Sequence, residues 1–412
     1  MGDAFEMELD EASVLDSILV DKMELEPNVA EFTWGSAARR LDTAASSKGS
    51  MEPCLPVDGA LAMELDMPVC VKNLGSDLDA KFAKDGVWLQ YAGVVKHCLS
   101  QSVSFCVVEA KLGTPLLRRT RNMLELVYAS RHEEWEAEQI LINALQSNGF
   151  QYSVYDVFCR LLYAAQVIRE TAPAGNLLQF IEFFAGRAGH ARYLSRMGCA
   201  TQAFDIRIDP CHDINSDSGF NLYLVACCST LVSSIAWSGL VCTSWVWIGR
   251  SQTGRNAKHP LGNEHKTMVA QGNGHMRRQV ILSMLWELLG NEQVIEQPLS
   301  SIVDRVPLFC EMLRVCRLQR MTTWLGAFGA PTPKPLHLWS TCGFTDDLRR
   351  NRPCARLGLL STTVWDDGKR KRVTGKRDEL QQSSAYPDEF CKASSALIYQ
   401  RFGCKTTRSW KS

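Results

Sequence analysis

The chain has 412 residues, no formal net charge and 46% hydrophobic content, enough for one large core or two smaller ones. Without a global field to attract a polyanion, any nucleic-acid face must be local. No run approaches the roughly 18 uninterrupted apolar residues of a membrane span. The opening Met-Gly-Asp-Ala-Phe-Glu-Met-Glu has no basic then apolar pattern and is not expected to be a secretory leader, so the sixteen cysteines are expected to be reduced thiols inside a cell. They form no CxxC pair, and no metal site is expected.

Residues 1–31 carry ten acids against the single base Lys22, and residues 1–76 read as an acidic, largely disordered tail. Residues 77–172 read as a helical accessory region. Met123, Leu124, Leu126 and Val127, then Trp135, Ile140, Leu141, Ala144 and Leu145, recur at spacings of three and four. Ala172-Pro173-Ala174-Gly175-Asn176 punctuates the chain, and a domain boundary is expected there.

From 176 to 404 apolar runs alternate with glycine turns and amphipathic stretches, the pattern of βαβ units and a mostly parallel sheet. Strands are expected at 178–184, 200–204, 235–241, 294–296 and 321–328. Helices are expected at 189–197, 222–232, 268–289 and 306–318.

The first strand runs into Phe184-Ala185-Gly186-Arg187-Ala188-Gly189. Glycines here let the backbone turn tightly and approach a ligand closely. Asp205 ends the next apolar run 19 residues beyond Gly186, where nucleotide-binding folds place a carboxylate for ribose hydroxyls. No Gly-Lys-Ser/Thr follows, so a nucleoside fits better than a triphosphate. The alternative is a turn whose glycines serve close packing.

Cys242 ends a third apolar run and precedes Thr243-Ser244-Trp245, with Gly249, Arg250, Gly254 and Arg255 beyond. A nearby positive charge or dipole would make it a nucleophile; otherwise it is a small buried hydrophobe. Glu296, in Val294-Ile295-Glu296-Gln297-Pro298, ends the next strand and so falls at the same sheet edge, where a carboxyl could protonate or hydrogen-bond a ring nitrogen. Its alternative is a polar strand terminus. His259, His265 and His275 lie in a Gly/Asn-rich polar stretch and read as loop histidines without a ligand role. Trp237, Trp245 and Trp247 could stack a base, though core packing is the commoner use.

Glu182-Phe183-Phe184-Ala185-Gly186-Arg187-Ala188-Gly189 resembles the first motif of the DNA cytosine-5 methyltransferases, with Ala188 in place of one paired glycine. Cys242 resembles the family's Pro-Cys nucleophile, with Val241 in place of the proline. Glu296 resembles its Glu-Asn-Val glutamate, with Gln297-Pro298 in place of Asn-Val. Thr332 to Trp339 and Ala385 to Phe390 resemble later segments more loosely.

The resemblance implies a class I, Rossmann-like α/β fold, a mostly parallel sheet with helices on both faces, beside the helical N-terminal accessory region. It implies S-adenosylmethionine held by Phe184, Ala185, Gly186, Gly189, Asp205 and Asp213. Cys242 would attack carbon 6 of a flipped cytosine, and Glu296 would contact ring nitrogen 3. The alternatives are a non-catalytic nucleic-acid- or protein-binding module on the same fold, and methylation of another acceptor.

Residues 349–377 hold ten bases and only Asp366 and Asp367 as acids, the one local patch large enough to track a phosphate backbone. Arg250, Arg255, Lys369, Arg370, Lys371 and Arg372 are the expected nucleic-acid contacts, with DNA as partner and RNA as alternative. The Lys369 to Arg372 run favours the nucleus over the cytoplasm.

Overall fold

The computed structural model describes residues 86–99, 103–128, 153–246, 250–353, 361–366, 370–375 and 385–406. The expected acidic tail, the periodic segment around Trp135 to Leu145, and Trp247 and Lys369 lie outside them. Residues 90 onward belong to one compact unit. Of a second unit, residues 27–89, only the backbone of 86–89 is described.

The described helices are α1 (Gly86–Leu99), α2 (Phe105–Tyr128), α3 (Val154–Thr171), α4 (Gly189–Arg196), α5 (Asp217–Cys228), α6 (Thr267–Leu288), α7 (Pro307–Val315) and α8 (Asp388–Thr406). A six-stranded sheet is built from β1 (Leu178–Phe183), β2 (Thr201–Phe204), β3 (Thr230–Gly239), β4 (Glu292–Pro298), β5 (Gln319–Trp324) and β6 (Pro335–Ser340). A separate hairpin pairs β7 (Ser361–Asp366) with β8 (Arg370–Gly375).

The strand order is β2-β1-β3-β4-β6-β5. β1 to β4 pair in parallel, while β6 is antiparallel to both β4 and β5. The architecture is α/β as expected, but the sheet is mixed. From β1 the chain passes first to β2 on one side and then to β3 on the other. Strand order therefore reverses at β1/β3, and a crevice opens at such a point beyond the strand carboxyl ends.

Side chains alternate across a strand, and this sorts the helices. Ile235 and Trp237 of β3 join Phe180, Val294 and Leu338 in a core that includes Leu194 of α4 and Phe390 and Ile398 of α8. On the opposite face, Ser238 donates its hydroxyl to Gln279 of α6 at 2.6 Å, and Phe183 stacks on Tyr223 of α5 at 5.2 Å between ring centroids.

α3 opens with a capping box, in which the Asp156 N–H donates to Ser153 Oγ and the Ser153 N–H to Asp156 Oδ2. Val157, Phe158, Leu161, Ala164, Ala165 and Ile168 are all fully buried. Each large apolar side chain among them contributes about 1.5–3 kcal/mol of burial. Arg169 donates to the carbonyls of Thr230 at 2.7 Å and Leu289 at 3.2 Å, and Arg119 of α2 pairs with Glu287 of α6 at 2.5 Å. α2 and α3 of the expected accessory region therefore pack directly on the α/β layers, and 172–176 is a short link between α3 and β1.

Several expected element boundaries move. The helix expected over 222–232 begins earlier, with the Gly219 N–H capped by Ser216 Oγ at 3.0 Å, and ends at Cys228. Thr230 to Val232 belong to β3 instead. The strand expected over 321–328 stops at Trp324, where a 3-10 turn begins.

Candidate functional site

Phe183 is in register with Phe204 on one side and Ser238 on the other, and Gly239 with Glu296. The carboxyl ends of these parallel strands therefore share one sheet edge: Phe184 to Gly189 beyond β1, Asp205 beyond β2, the segment leading to Cys242 beyond β3, and Glu296 with Gln297 inside the last residues of β4.

The turn after β1 holds three residues in the left-handed region, Phe184 (φ 53°), Gly186 (φ 53°) and Ala188 (φ 52°). Only glycine adopts that conformation freely, so the backbone stores strain at two of the three positions. The bracing is visible. Gly186 N–H donates to Asp205 Oδ2 at 2.8 Å, and the other carboxylate oxygen accepts from Arg207 N–H at 2.8 Å. Beneath the turn, buried Glu182 accepts from His190 Nδ1 at 2.8 Å and from Ala191 N–H at 2.9 Å, tying the start of α4 to β1.

Asp213 lies in the loop before α5, where its Oδ1 accepts from Asn215 N–H at 2.9 Å. α6 pins this loop, because Arg278 donates to the carbonyls of Ile214 and Ser216 and to Asp217. Between the loop and Phe184 stands His275. It lies on α6 rather than in a loop, its ring 5.6 Å from that of Phe184, and its Nδ1 is buried without a hydrogen-bond partner. Burial pushes its pKa down to about 4, with Asp213 and Asp205 opposing and Arg278 assisting.

The folded-state value lies below the ordinary 6.5, so the unfolded chain takes up the proton first as pH falls. Stability from the neutral imidazole is full above pH 6.5 and lost toward pH 4. Urea midpoints measured across that window are expected to fall less in His275→Gln than in the wild type; parallel curves would contradict this.

Half-buried Cys242 sits in the turn beyond β3, its carbonyl accepting from the N–H groups of Trp245 at 2.8 Å and Val246 at 3.2 Å. The neighbouring strand holds this turn. The Gln297 side-chain amide donates to the Leu240 carbonyl and accepts from Ser301 Oγ at 2.9 Å, and Ile302 N–H donates to the Trp245 carbonyl at 2.9 Å. Gln297, which stands where the resembled family has asparagine, thus links the Cys242 and Glu296 segments.

Glu296 is 8% exposed, and Tyr386 donates its hydroxyl to Oε2 at 2.7 Å. Burial pushes the carboxyl above its usual range, while Lys334, the Tyr386 hydroxyl and His190 pull it back.

No family model matches this chain, nor does any curated protein or solved structure. Residue chemistry must therefore carry any functional assignment.

Among the expected nucleic-acid contacts, Arg255 is corrected. It is 1% exposed, its guanidinium lies 3.5 Å from the centre of the Trp245 ring, and it donates to Ser244, Asn273 and the carbonyls of Pro260 and Val269. Burial also removes Trp237 and Trp245, both 0% exposed, from any base-stacking surface. Arg250 opens a single helical turn. On the hairpin backbone Arg370 is in register with Asp366, Lys371 with Trp365 and Arg372 with Val364. Arg349, Arg350 and Arg352 are exposed, the last two lying over the rings of Phe328 and Trp324.

Among the described residues no cluster of three or more His, Cys, Asp and Glu is arranged for a metal, and no helix is long and apolar enough to cross a membrane. Tyr386, Lys334 and His275 are the site residues that sequence reasoning missed. Lys334 carried one usable signal, its place between two prolines in Pro333-Lys334-Pro335; in the structure it has a positive φ of 34°.

Proposed function

We propose that this chain is an S-adenosylmethionine-dependent methyltransferase with a class I, Rossmann-like core, and that it methylates carbon 5 of cytosine in nucleic acid. The observation that carries the reading is the reversal of strand order at β1/β3 directly below the Gly186 turn, with Asp205 and Cys242 beyond neighbouring strand ends and Glu296 near the end of β4. The site also fits the donor by one independent criterion. His275 Nδ1 is a buried, unpartnered polar atom beside Phe184, and a nucleoside edge could satisfy it.

The residues that would hold the donor are Phe184, Ala185, Gly186, Gly189, Asp205 and Asp213, with His275 beside them. When bound, the donor supplies an electrophilic methyl group. The chain's own contribution is to make the acceptor carbon nucleophilic. Cys242 adds as thiolate to carbon 6 of the ring while Glu296 holds ring nitrogen 3 and electron density moves to carbon 5; loss of the carbon 5 proton to solvent then expels the thiolate from carbon 6 and restores the ring. A base in a duplex must be flipped out first, at a cost of a few kcal/mol that single strands largely avoid. Arg250, Lys369 and the basic hairpin residues Arg370, Lys371 and Arg372 are the proposed phosphate contacts. DNA is the proposed partner, RNA the alternative, and the nucleus the proposed location.

A binding module without catalysis is favoured by one observation. Both oxygens of Asp205 and one of Glu296 are already engaged within the protein. Calorimetric titration with S-adenosylhomocysteine separates the readings. The wild type is expected to bind, and Asp205→Asn, which loses a charged acceptor, to bind about tenfold more weakly. Absence of wild-type binding would reject the donor site; binding without transfer to any cytosine-containing strand would leave the module.

A further inference from the structure

The segment that leads into α8 brings Tyr386 to Glu296, from 90 residues further along the sequence. Its hydroxyl reaches Glu296 Oε2 at 2.7 Å and accepts weakly from Trp237 Nε1 at 3.5 Å. The ring is held on three sides, with centroid distances of 5.2 Å to His190, 6.3 Å to Trp237 and 5.5 Å to Phe390. Space for the hydroxyl is cut into β3. A Cβ on Gly239 would stand 2.8 Å from the Tyr386 oxygen, 3.5 Å from the Phe184 carbonyl and 3.8 Å from Glu296 Oε2. Gly239 thus brings the donor-turn backbone, the tyrosine hydroxyl and the carboxylate within a few ångströms of one point.

We infer that Tyr386 is a positioning residue for Glu296: its hydroxyl fixes one carboxylate oxygen and so couples the C-terminal helix to the candidate catalytic centre. The consequence for methyl transfer rests on the function proposed above, whereas the coupling itself is a property of the fold. A carboxylate held by a hydroxyl donor is favoured as the anion, so losing that donor favours the neutral acid. The other groups acting on Glu296 are Lys334 from the β5–β6 turn and His190 from α4, the latter already bonded to Glu182. Tyr386 is the neighbour among them whose hydroxyl can be removed with its ring left in place.

The test is the infrared titration of the Glu296 carboxyl, its band assigned by difference from Glu296→Gln, in the wild type, Tyr386→Phe and Phe390→Leu. Tyr386→Phe keeps the ring and is expected to raise the titration midpoint by about one pH unit or more. Phe390→Leu disturbs the aromatic packing but keeps the hydroxyl, and is expected to lower the urea midpoint while leaving the carboxyl titration in place. An unchanged midpoint in Tyr386→Phe, or an equal shift in Phe390→Leu, would overturn the inference. If the midpoint moves while the wild type transfers no methyl group, the coupling stands and the proposed function falls. If the wild type transfers and Tyr386→Phe shows the same pH profile of kcat, the positioning role falls and the function stands.

Discussion

On the function proposed above, Cys242→Ser is expected to lose methyl transfer by at least three orders of magnitude and to abolish covalent capture on a strand containing 5-fluorocytosine. A nucleophile that forms the first bond has no substitute in the site, and serine, with a far higher pKa, is not activated by the same surroundings. Losses of this size follow removal of a covalent catalyst. The geometry makes the residue replaceable without collapse. Cys242 is only half-buried, and what shapes its turn is backbone hydrogen bonding from Trp245 and Val246 together with the Gln297 tie to Leu240. The variant should therefore keep the wild-type urea midpoint and its affinity for S-adenosylhomocysteine. A covalent adduct that persists in Cys242→Ser would end the nucleophile assignment. Loss of both donor binding and stability would make the cysteine a packing residue.

Arg255→Ala is expected to cost about 3–5 kcal/mol of stability, a large part of the roughly 5–15 kcal/mol available to a folded domain. The substitution removes a guanidinium that fills the space over Trp245 and satisfies four acceptors, on Ser244, Pro260, Val269 and Asn273. Each acceptor left buried without a donor costs about 1–3 kcal/mol. Since the side chain is 1% exposed, it has no surface to offer a phosphate. The salt dependence of nucleic-acid binding should therefore keep its slope in whatever fraction of the variant stays folded, whereas loss of a phosphate contact would reduce that slope by about one. Denaturation in urea with the exposed Arg350→Ala as comparison decides the matter, the latter being expected to change stability by no more than about 0.5 kcal/mol. Equal midpoints in the two variants would contradict the buried role.

These two residues mark how far the sequence could be read. Cys242, Glu296, Asp205 and the Gly186 turn each end an apolar run, and a strand followed by a turn is a local pattern, so their common edge was legible. Arg255 was not, because a lone arginine in a Gly/Asn-rich stretch has the same local signature whether it faces solvent or a tryptophan. His275 misled for a related reason. Its polar neighbours Gln271, Asn273 and Gly274 make it read as a loop histidine although it falls inside the helix expected over 268–289, and α6 runs through all four residues as that helix. The Asn273 side chain receives Arg255, the backbone carbonyl of Gln271 accepts from the Asn215 amide, and Arg278 holds the segment before α5.

The sequence by itself determined the succession of strands and helices from Leu178 to Trp324, the glycine turn with Asp205 ending the next apolar run, and the acidic and basic segments. All of these rest on spacings of a few residues or on the βα repeat. Only the tertiary structure decided that β6 runs against its neighbours and makes the sheet mixed, that α3 packs on β3 and α5, and that Tyr386 closes over Glu296 from 90 residues away. A hydrogen bond between distant segments leaves no period in the chain. Its partners are chosen by which faces of the strands the helices cover, and that choice is made in the folded core.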